Sequence, residues 1–291
     1  MRFQFLTALF FLSVSGFTQE LFTATEPASN RAARSIGIRM DNSVMNDVSS
    51  SRINYHLIPG VMIGVSKKLM VSADAFFSNR NKEFRGEGGS FYAKYRFLTI
   101  DAVQRHFRMA AFGRISYNNS DIHQEEINMY GHNTGTEFGV VATQLIRKVA
   151  LSSSVSFLNA GDNGNNNKFI YGSNRSKAVN YTLSVGKLML PKEYKSYKQT
   201  NLNLMLEFLS QVNTGSGKYY MDIAPTAQLI FNSQSRLDIG YRQELSSTLV
   251  RTAPNGFFIR LEYNFLTCSD CLSVPDRLLS YRHDRLPGNF T

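Results

Sequence analysis

The side chains best suited to chemistry are few in this 291-residue chain, which has five histidines and two cysteines. His123 and His132 lie close to Asp121, Glu125 and Glu126 in a polar stretch. Such a set could bind a metal ion or form an acid–base pair, but these side chains in a loop are more commonly only solvated. The chain has no Gly-x-Ser-x-Gly motif of the lipase type. We therefore expect no catalytic residue, no metal and no cofactor, and a protein that is not an enzyme.

The two cysteines, Cys268 and Cys271, are separated by only two residues near the C-terminus. In an oxidising compartment they could close as a small disulfide. They could also bind a soft metal together with His283, although two thiolates are too few for a closed tetrahedral site. We expect the disulfide.

Charged residues that recur at every second position say more about the fold than the histidines and cysteines do. In Ser235–Leu245 they alternate with Leu237, Ile239 and Tyr241, as in a strand with one polar and one apolar face. The same pattern upstream and downstream gives a set of candidate lumen-lining residues: Arg39, Lys94, Arg96, Arg108, Arg114, Asp222, Arg236, Asp238, Arg242, Glu244, Arg260 and Glu262, with Asp74, Glu137 and Glu207 on the same faces. Such charges either line a narrow aqueous pore, in which arginines favour anionic or polar small solutes, or pair with one another as a structural network. Both alternatives stay open.

Alternation of this kind predicts an all-β fold of twelve strands. The predicted strands are Ser35–Asp41, His56–Ser66, Leu69–Ser78, Gly89–Phe97, Phe107–Tyr117, Gly135–Ile146, Val149–Leu158, Ala178–Lys187, Asn201–Val212, Tyr219–Phe231, Ser235–Leu245 and Gly256–Phe265. Most are about 9–12 residues long, which a tilted strand needs to cross a bilayer. The 22 Phe and 14 Tyr are typical of the aromatic girdles of such strands.

The connections alternate between short and long. Lys67–Lys68, Arg147–Lys148 and Asn232–Gln234 are short, whereas the intervening connections are longer and rich in Asn, Gly and Ser. Outer-membrane barrels have short periplasmic turns and long outer loops, so we expect the short turns and both termini on the periplasmic side. Leu188–Thr200 is an exception, because it is long and rich in Lys where a short turn is expected.

The N-terminus has the pattern of a secretory signal. Arg2 precedes the apolar stretch Phe3–Val14, and small residues follow before Gln19. A buried N-terminal helix is the alternative. We expect a signal peptide at 1–18, a periplasmic N-terminal segment at 19–34, an outer-membrane barrel at 35–265 and a periplasmic tail at 266–291.

Two other protein classes fit less well. The strands of a soluble β-sandwich would also alternate apolar and polar residues, but twelve regular strands behind a signal favour a transmembrane antiparallel β-barrel. Such a sheet must close into a barrel because lipid cannot form hydrogen bonds with the backbone groups of an open sheet edge. The net charge of +10 is compatible with nucleic-acid binding, yet it is spread along strands and turns, without a run of five basic residues. We expect no nucleic-acid partner.

The chain resembles uncharacterised, transporter-like outer-membrane β-barrels of the Bacteroidota. The resemblance rests on the signal, the twelve strands, a last strand ending in Tyr263 and Phe265, and the segments Thr25–Asn30, Leu190–Tyr194 and Gln199–Leu204. It covers most of the mature chain and implies location and fold, with solute passage, but no catalytic residue. The tail after Phe265 departs from the usual pattern, in which the last strand ends the chain.

These observations predict a passive channel or transport-associated porin for small polar or anionic solutes in the cell outer membrane. Its partners would be outer-membrane lipid, the outer-membrane assembly machinery and small solutes. The alternatives are a structural or adhesion barrel with a salt-bridged, closed lumen and a membrane hydrolase.

Overall fold

The computed structural model describes residues 22–47, 52–80, 83–103, 105–165, 167–168, 176–191 and 199–266. Within these ranges the chain forms one closed antiparallel barrel in which each strand pairs with its neighbours in sequence and β1 pairs with β12. The strands are β1 Ser35–Asn46, β2 Ile53–Gly64, β3 Leu69–Ser78, β4 Arg85–Ala102, β5 Arg105–Asn118, β6 Gly135–Ile146, β7 Val149–Ala160, β8 Lys177–Leu190, β9 Asn201–Asn213, β10 Tyr219–Phe231, β11 Ser235–Ser247 and β12 Gly256–Leu266. The twelve-stranded barrel predicted from the alternation is confirmed.

Several strands are longer than predicted. β1 continues through 42–46, which pair with β2 throughout and with β12 as far as Met45. β4 extends nine residues beyond the predicted stretch, and its pairing with β5 shifts register between Arg96 and Leu98. A bulge there breaks the two-residue period, so the sequence pattern ends while the strand continues.

The two faces of the barrel differ as the alternation requires. Large apolar side chains such as Ile38, Leu183 and Ile259 are exposed on the outer face, whereas polar and charged side chains are buried inside. A closed barrel leaves no sheet edge, and an apolar outer face is suited to hydrocarbon. No helix in the described ranges is long and apolar enough to span a bilayer.

Short turns close the barrel at one end. At the β10–β11 turn, Asn232 and Ser233 both have positive φ angles, of 51° and 55°, and Gln234 N–H donates to Phe231 O at 3.0 Å. Two residues of positive φ match the twist of an antiparallel hairpin, and Asn tolerates this conformation well. The β2–β3 and β6–β7 turns lie at the same end.

Two segments outside the strands bury residues in the barrel interior. The N-terminal insert, residues 22–34, starts from the end with short turns, and Phe22, Thr25 and Ala28 in it are buried. The loop insert, residues 119–134, connects β5 to β6 from the opposite end and buries Ile127 and Met129. The interior is therefore filled from both ends.

Candidate functional site

The N-terminal insert is anchored on one carboxylate. Glu207 on β9 is fully buried and accepts backbone N–H hydrogen bonds from Thr23 at 3.1 Å, Ala24 at 3.0 Å and Thr25 at 2.7 Å. Ser184 Oγ on β8 lies 3.3 Å from the same carboxylate. Three successive N–H groups around one carboxylate form a strong, charge-assisted contact.

Further contacts hold the same insert along its length. Lys94 Nζ donates to Pro27 O at 2.9 Å, Arg236 donates to Phe22 O at 3.2 Å, and Arg31 lies 2.5 Å from Glu262. Inward side chains of β4, β11 and β12 thus bind this segment. The sequence alone shows a polar stretch before the first strand and contains no signal that it enters the barrel.

The loop insert crosses the lumen to the opposite wall. Ile127 N–H donates to Gln211 Oε1 at 2.9 Å, and Gln211 Nε2 donates to Ile127 O at 2.7 Å, an amide pairing that fixes the loop to β9. The Tyr130 hydroxyl donates to Asp41 on β1, and Arg114 lies 4.7 Å from the Tyr130 ring centroid. Burial, together with the nearby carboxylates of Asp41 and Asp74, keeps the pKa of Tyr130 well above its usual value, so this hydroxyl stays protonated.

The carboxylates of this loop are buried ion-pair partners. Glu126 lies 3.0 Å from Arg242 and 2.7 Å from Arg251. Burial acts to raise the pKa of Glu126, but the two arginines outweigh it and lower the pKa to about 2. Glu125 pairs with Lys218 at 2.8 Å.

His132 is also buried. It accepts a hydrogen bond from Arg80 Nη1 at 2.5 Å, and its ring stacks on His56 with centroids 4.9 Å apart. Burial and then the positive charge of Arg80, with His56 and Arg242 beyond it, hold the pKa of His132 well below 6.5. Arg80 itself pairs with Glu87 at 2.6 Å.

The expectation that this loop is only solvated is therefore wrong for Glu125, Glu126 and His132, because the loop folds inward and brings them to basic partners. Asp121 and His123 stay largely exposed and lie 3.9 Å apart. No cluster of three His, Cys, Asp or Glu that could hold a metal is found among the residues that the structure covers.

The predicted charged residues of β11, β12 and β1 form adjacent pairs. Arg236 binds Asp238 and lies 3.9 Å from Glu262. Arg260 pairs with Asp41, and Arg39 lies 3.2 Å from Asp74. These buried pairs form a charged wall along one side of the lumen.

A second group lies at the end with long loops. Asp222 accepts from Arg242 at 2.6 Å and from Arg251 at 2.8 Å, and Glu244 lies 2.8 Å from Arg251. Arg251 lies in the β11–β12 loop, outside any alternating stretch, so the sequence pattern does not identify it as a lumen residue. Its planar guanidinium group has several N–H donors and binds three carboxylates, those of Asp222, Glu244 and Glu126.

The remaining predicted residues have more local contacts. Arg114 lies 3.8 Å from both Asp74 and Glu137. Arg108 is 3.7 Å from Asp101 at the end with short turns, where Arg96 donates to Lys67 O at 2.7 Å. Arg96 and Arg108 thus lie near the barrel rim, away from the charged wall. Cys268 and Cys271 lie outside the described residues, as do 1–18.

A cavity of about 300 Å³ separates the two inserts. Thr23, Ala24 and Glu26 of the N-terminal insert border it, and so do Glu126 to Tyr130 of the loop insert. Its charged lining residues are four arginines and four carboxylates: Arg39, Arg114, Arg242 and Arg260, with Glu26, Asp41, Glu126 and Glu137. The part of the wall formed by β7 and β8 carries Ser154, Ser156, Asn180 and Thr182. This cavity is the candidate site, because it lies in the lumen between the two inserts and is lined by charged and hydroxyl side chains as well as apolar ones.

Among solved structures, one outer-membrane channel supports the fold at a TM-score above 0.5. A channel described as the COG4313 outer membrane channel from Pseudomonas putida F1 aligns with 84% of this chain and 100% of its own, at a TM-score of 0.55 and 11% identity. Pseudomonas aeruginosa OprD aligns with 84% of this chain and 99% of its own at a TM-score of 0.38 and 7% identity. Neither protein-family models nor curated proteins gave a match.

Proposed function

We propose that this protein is an outer-membrane channel for small polar solutes, in which the two inserts control passage. The observation that carries the proposal is the cavity of about 300 Å³ in the lumen between them. A cavity in the lumen that is lined by charged and hydroxyl side chains is suited to hold a polar solute between two barriers.

The membrane location rests on the outer face. Exposed Ile, Leu, Val and Phe side chains cover it, and they would be costly in water without a lipid partner. The N-terminal signal pattern and the structural likeness to a protein described as an outer membrane channel support the outer membrane. In this orientation the short turns and the tail 266–291 face the periplasm, and the N-terminal insert enters the lumen from that side. Lipid and the assembly machinery are partners. The affiliation with the Bacteroidota stays a prediction from sequence.

The charge of the cavity bears on the choice of solute. Its four arginines are balanced by four carboxylates, and each belongs to an ion pair. The arginines therefore offer little net attraction for an anion, because a solute would have to displace a partner already held in a poorly solvated space. We propose polar solutes with weak charge preference.

Single-channel recording tests this function. The purified protein, shown to be folded by heat-modifiable migration on a gel, is added to a planar bilayer. We expect small, discrete conductance steps with weak ion selectivity, because both inserts narrow the lumen. Folded protein that inserts into the bilayer and gives no steps would refute a channel.

A structural barrel with a closed lumen is the second candidate. It is favoured by the extent of ion pairing, in which the buried Arg236, Asp238 and Glu262 contact one another and the N-terminal insert. Such a barrel would give no conductance even after the inserts are loosened. The variant Glu207→Gln, which removes an anchor of the N-terminal insert, separates the two candidates, because only a channel would then conduct more.

A further inference from the structure

The cavity has one wall without formal charge. Ser154 and Thr182 face each other across β7 and β8, with their hydroxyl oxygens 2.6 Å apart. Next to them, Ser156 donates to Glu137 at 2.7 Å, and the Asn180 oxygen accepts from Gln211 at 2.7 Å. Ser154 and Thr182 are only half-buried, so the cavity reaches them. We call these four residues, Ser154, Ser156, Asn180 and Thr182, the hydroxyl wall.

An aromatic ring stands next to this wall. Phe112 on β5 lies over Gly139 on β6, where a Cβ atom would come within 2.8 Å of its Cζ and 2.6 Å of Ser156 Cβ. The missing side chain at Gly139 thus lets the ring lie beside Ser156. Tyr92 packs at 5.9 Å from Phe112 and also borders the cavity. Rings of this kind offer flat apolar surface beside hydroxyl groups.

The charged residues that line the cavity disfavour ionic ligands. Asp41 already binds Arg260 and lies 3.4 Å from Arg39, and Arg242 binds Glu126 at 3.0 Å. A charged ligand would have to break such a pair and leave one partner uncompensated, which is costly in a desolvated site. A neutral ligand with many hydroxyl groups can instead donate to carboxylates, accept from arginines and exchange hydrogen bonds with the hydroxyl wall.

We propose that the cavity binds a neutral polyhydroxylated solute of monosaccharide size. Its volume of about 300 Å³ lies at the lower end of the range for small-molecule sites, about 300–1,000 Å³. Hydroxyl groups of the solute bind the hydroxyl wall, and its C–H face packs on Phe112, which is half-buried. This inference rests on the proposed channel for the route of the solute, but not for its binding.

Binding is measured first, without reference to conduction. Saturation-transfer NMR on the detergent-solubilised full-length protein compares glucose with gluconate, an anion of similar size. We expect a glucose signal and a much weaker gluconate signal. The double variant Ser154→Ala with Thr182→Val removes two hydroxyls that bond each other, so neither is left buried without a partner. It should raise the Kd for glucose about 10-fold, the order expected when two hydrogen bonds to the solute are removed.

A matched control comes from the same strand. Ser153 is on the opposite face of β7 by the alternation, so Ser153→Ala should leave the Kd for glucose unchanged. A gluconate signal equal to or stronger than that of glucose, or wild-type glucose affinity in the double variant, would overturn the inference.

Bilayer recordings then separate this inference from the proposed function. If both hold, glucose interrupts the single-channel current, and the double variant shortens the interruptions. Conductance without a glucose effect overturns the inference and leaves the channel. Glucose binding without conductance overturns the channel and leaves the binding site.

Discussion

Replacing Glu207 by Gln should release the N-terminal insert. The carboxylate accepts from three successive backbone N–H groups, of Thr23, Ala24 and Thr25, at 2.7–3.1 Å. A Gln side chain has nearly the same shape, but one of its two acceptor oxygens becomes an NH₂ group. That group donates, so it would face N–H groups that also donate.

The magnitude follows from the hydrogen bonds that the substitution removes. Thr25 N–H and one bond of Ala24 go to Oε2, and Thr23 N–H and the other bond of Ala24 go to Oε1. In either amide orientation one N–H group, of Thr23 or Thr25, loses its acceptor, while Ala24 keeps one of its two contacts. One hydrogen bond to a charged group is worth about 1.5–3 kcal/mol, so the population of the undocked insert rises about 10- to 10²-fold.

Thiol labelling of the insert measures this population. Ser29, which is 6% exposed, is replaced by Cys in a chain with Cys268→Ser and Cys271→Ser, so that the new thiol is the only one. The thiol reacts with a water-soluble maleimide only when the insert leaves the barrel. We expect Glu207→Gln to raise the labelling rate at least about 10-fold and to increase the single-channel conductance.

Glu244→Gln is the matched control. Glu244 is a lumen carboxylate that pairs with Arg251 at the other end of the barrel, away from the N-terminal insert. It should leave labelling of Ser29→Cys unchanged. If Glu207→Gln labels at the rate of the parent chain, the three backbone hydrogen bonds do not hold the insert, and the account of its anchoring is wrong.

Three further predictions concern the outer face, the loop insert and pH. Leu183 lies on the outer face in the middle of β8, and Leu183→Arg should lower the free energy of unfolding in lipid vesicles by about 2–4 kcal/mol. Leu183→Ala should lower it by less. Equal decreases for both variants would argue against a lipid-facing position. Glu126→Gln breaks the pairs with Arg242 and Arg251 and should raise conductance by loosening the loop insert, an effect that unchanged single-channel steps would exclude. The pKa of His132 is lowered in the docked loop, so docking of the loop insert is fully stable above about pH 6.5 and weakens as the pH falls below that value. Conductance should therefore rise between pH 7.5 and 5. The variant His132→Gln should reduce this rise.

The sequence alone determined the barrel. A strand exposes alternate side chains to opposite faces, so the two-residue period of Leu237, Ile239 and Tyr241 against their charged neighbours is enough to assign each residue to a side. The same period placed Arg39, Arg236 and the other charged candidates on the inner face. It failed at the bulge near Arg96 in β4, where the period itself is broken, and at the end of β1, where polar residues 42–43 interrupt the apolar face while the strand continues.

Only the tertiary structure decided what fills the lumen. Residues 22–34 and 119–134 have no period, because their partners come from strands far away along the chain: Thr23 binds Glu207, and Ile127 binds Gln211. Hydrogen bonds between groups so distant in sequence leave no local pattern in either segment. The same holds for the pairing of charges, since alternation shows which side chains point inward but not which carboxylate each arginine binds.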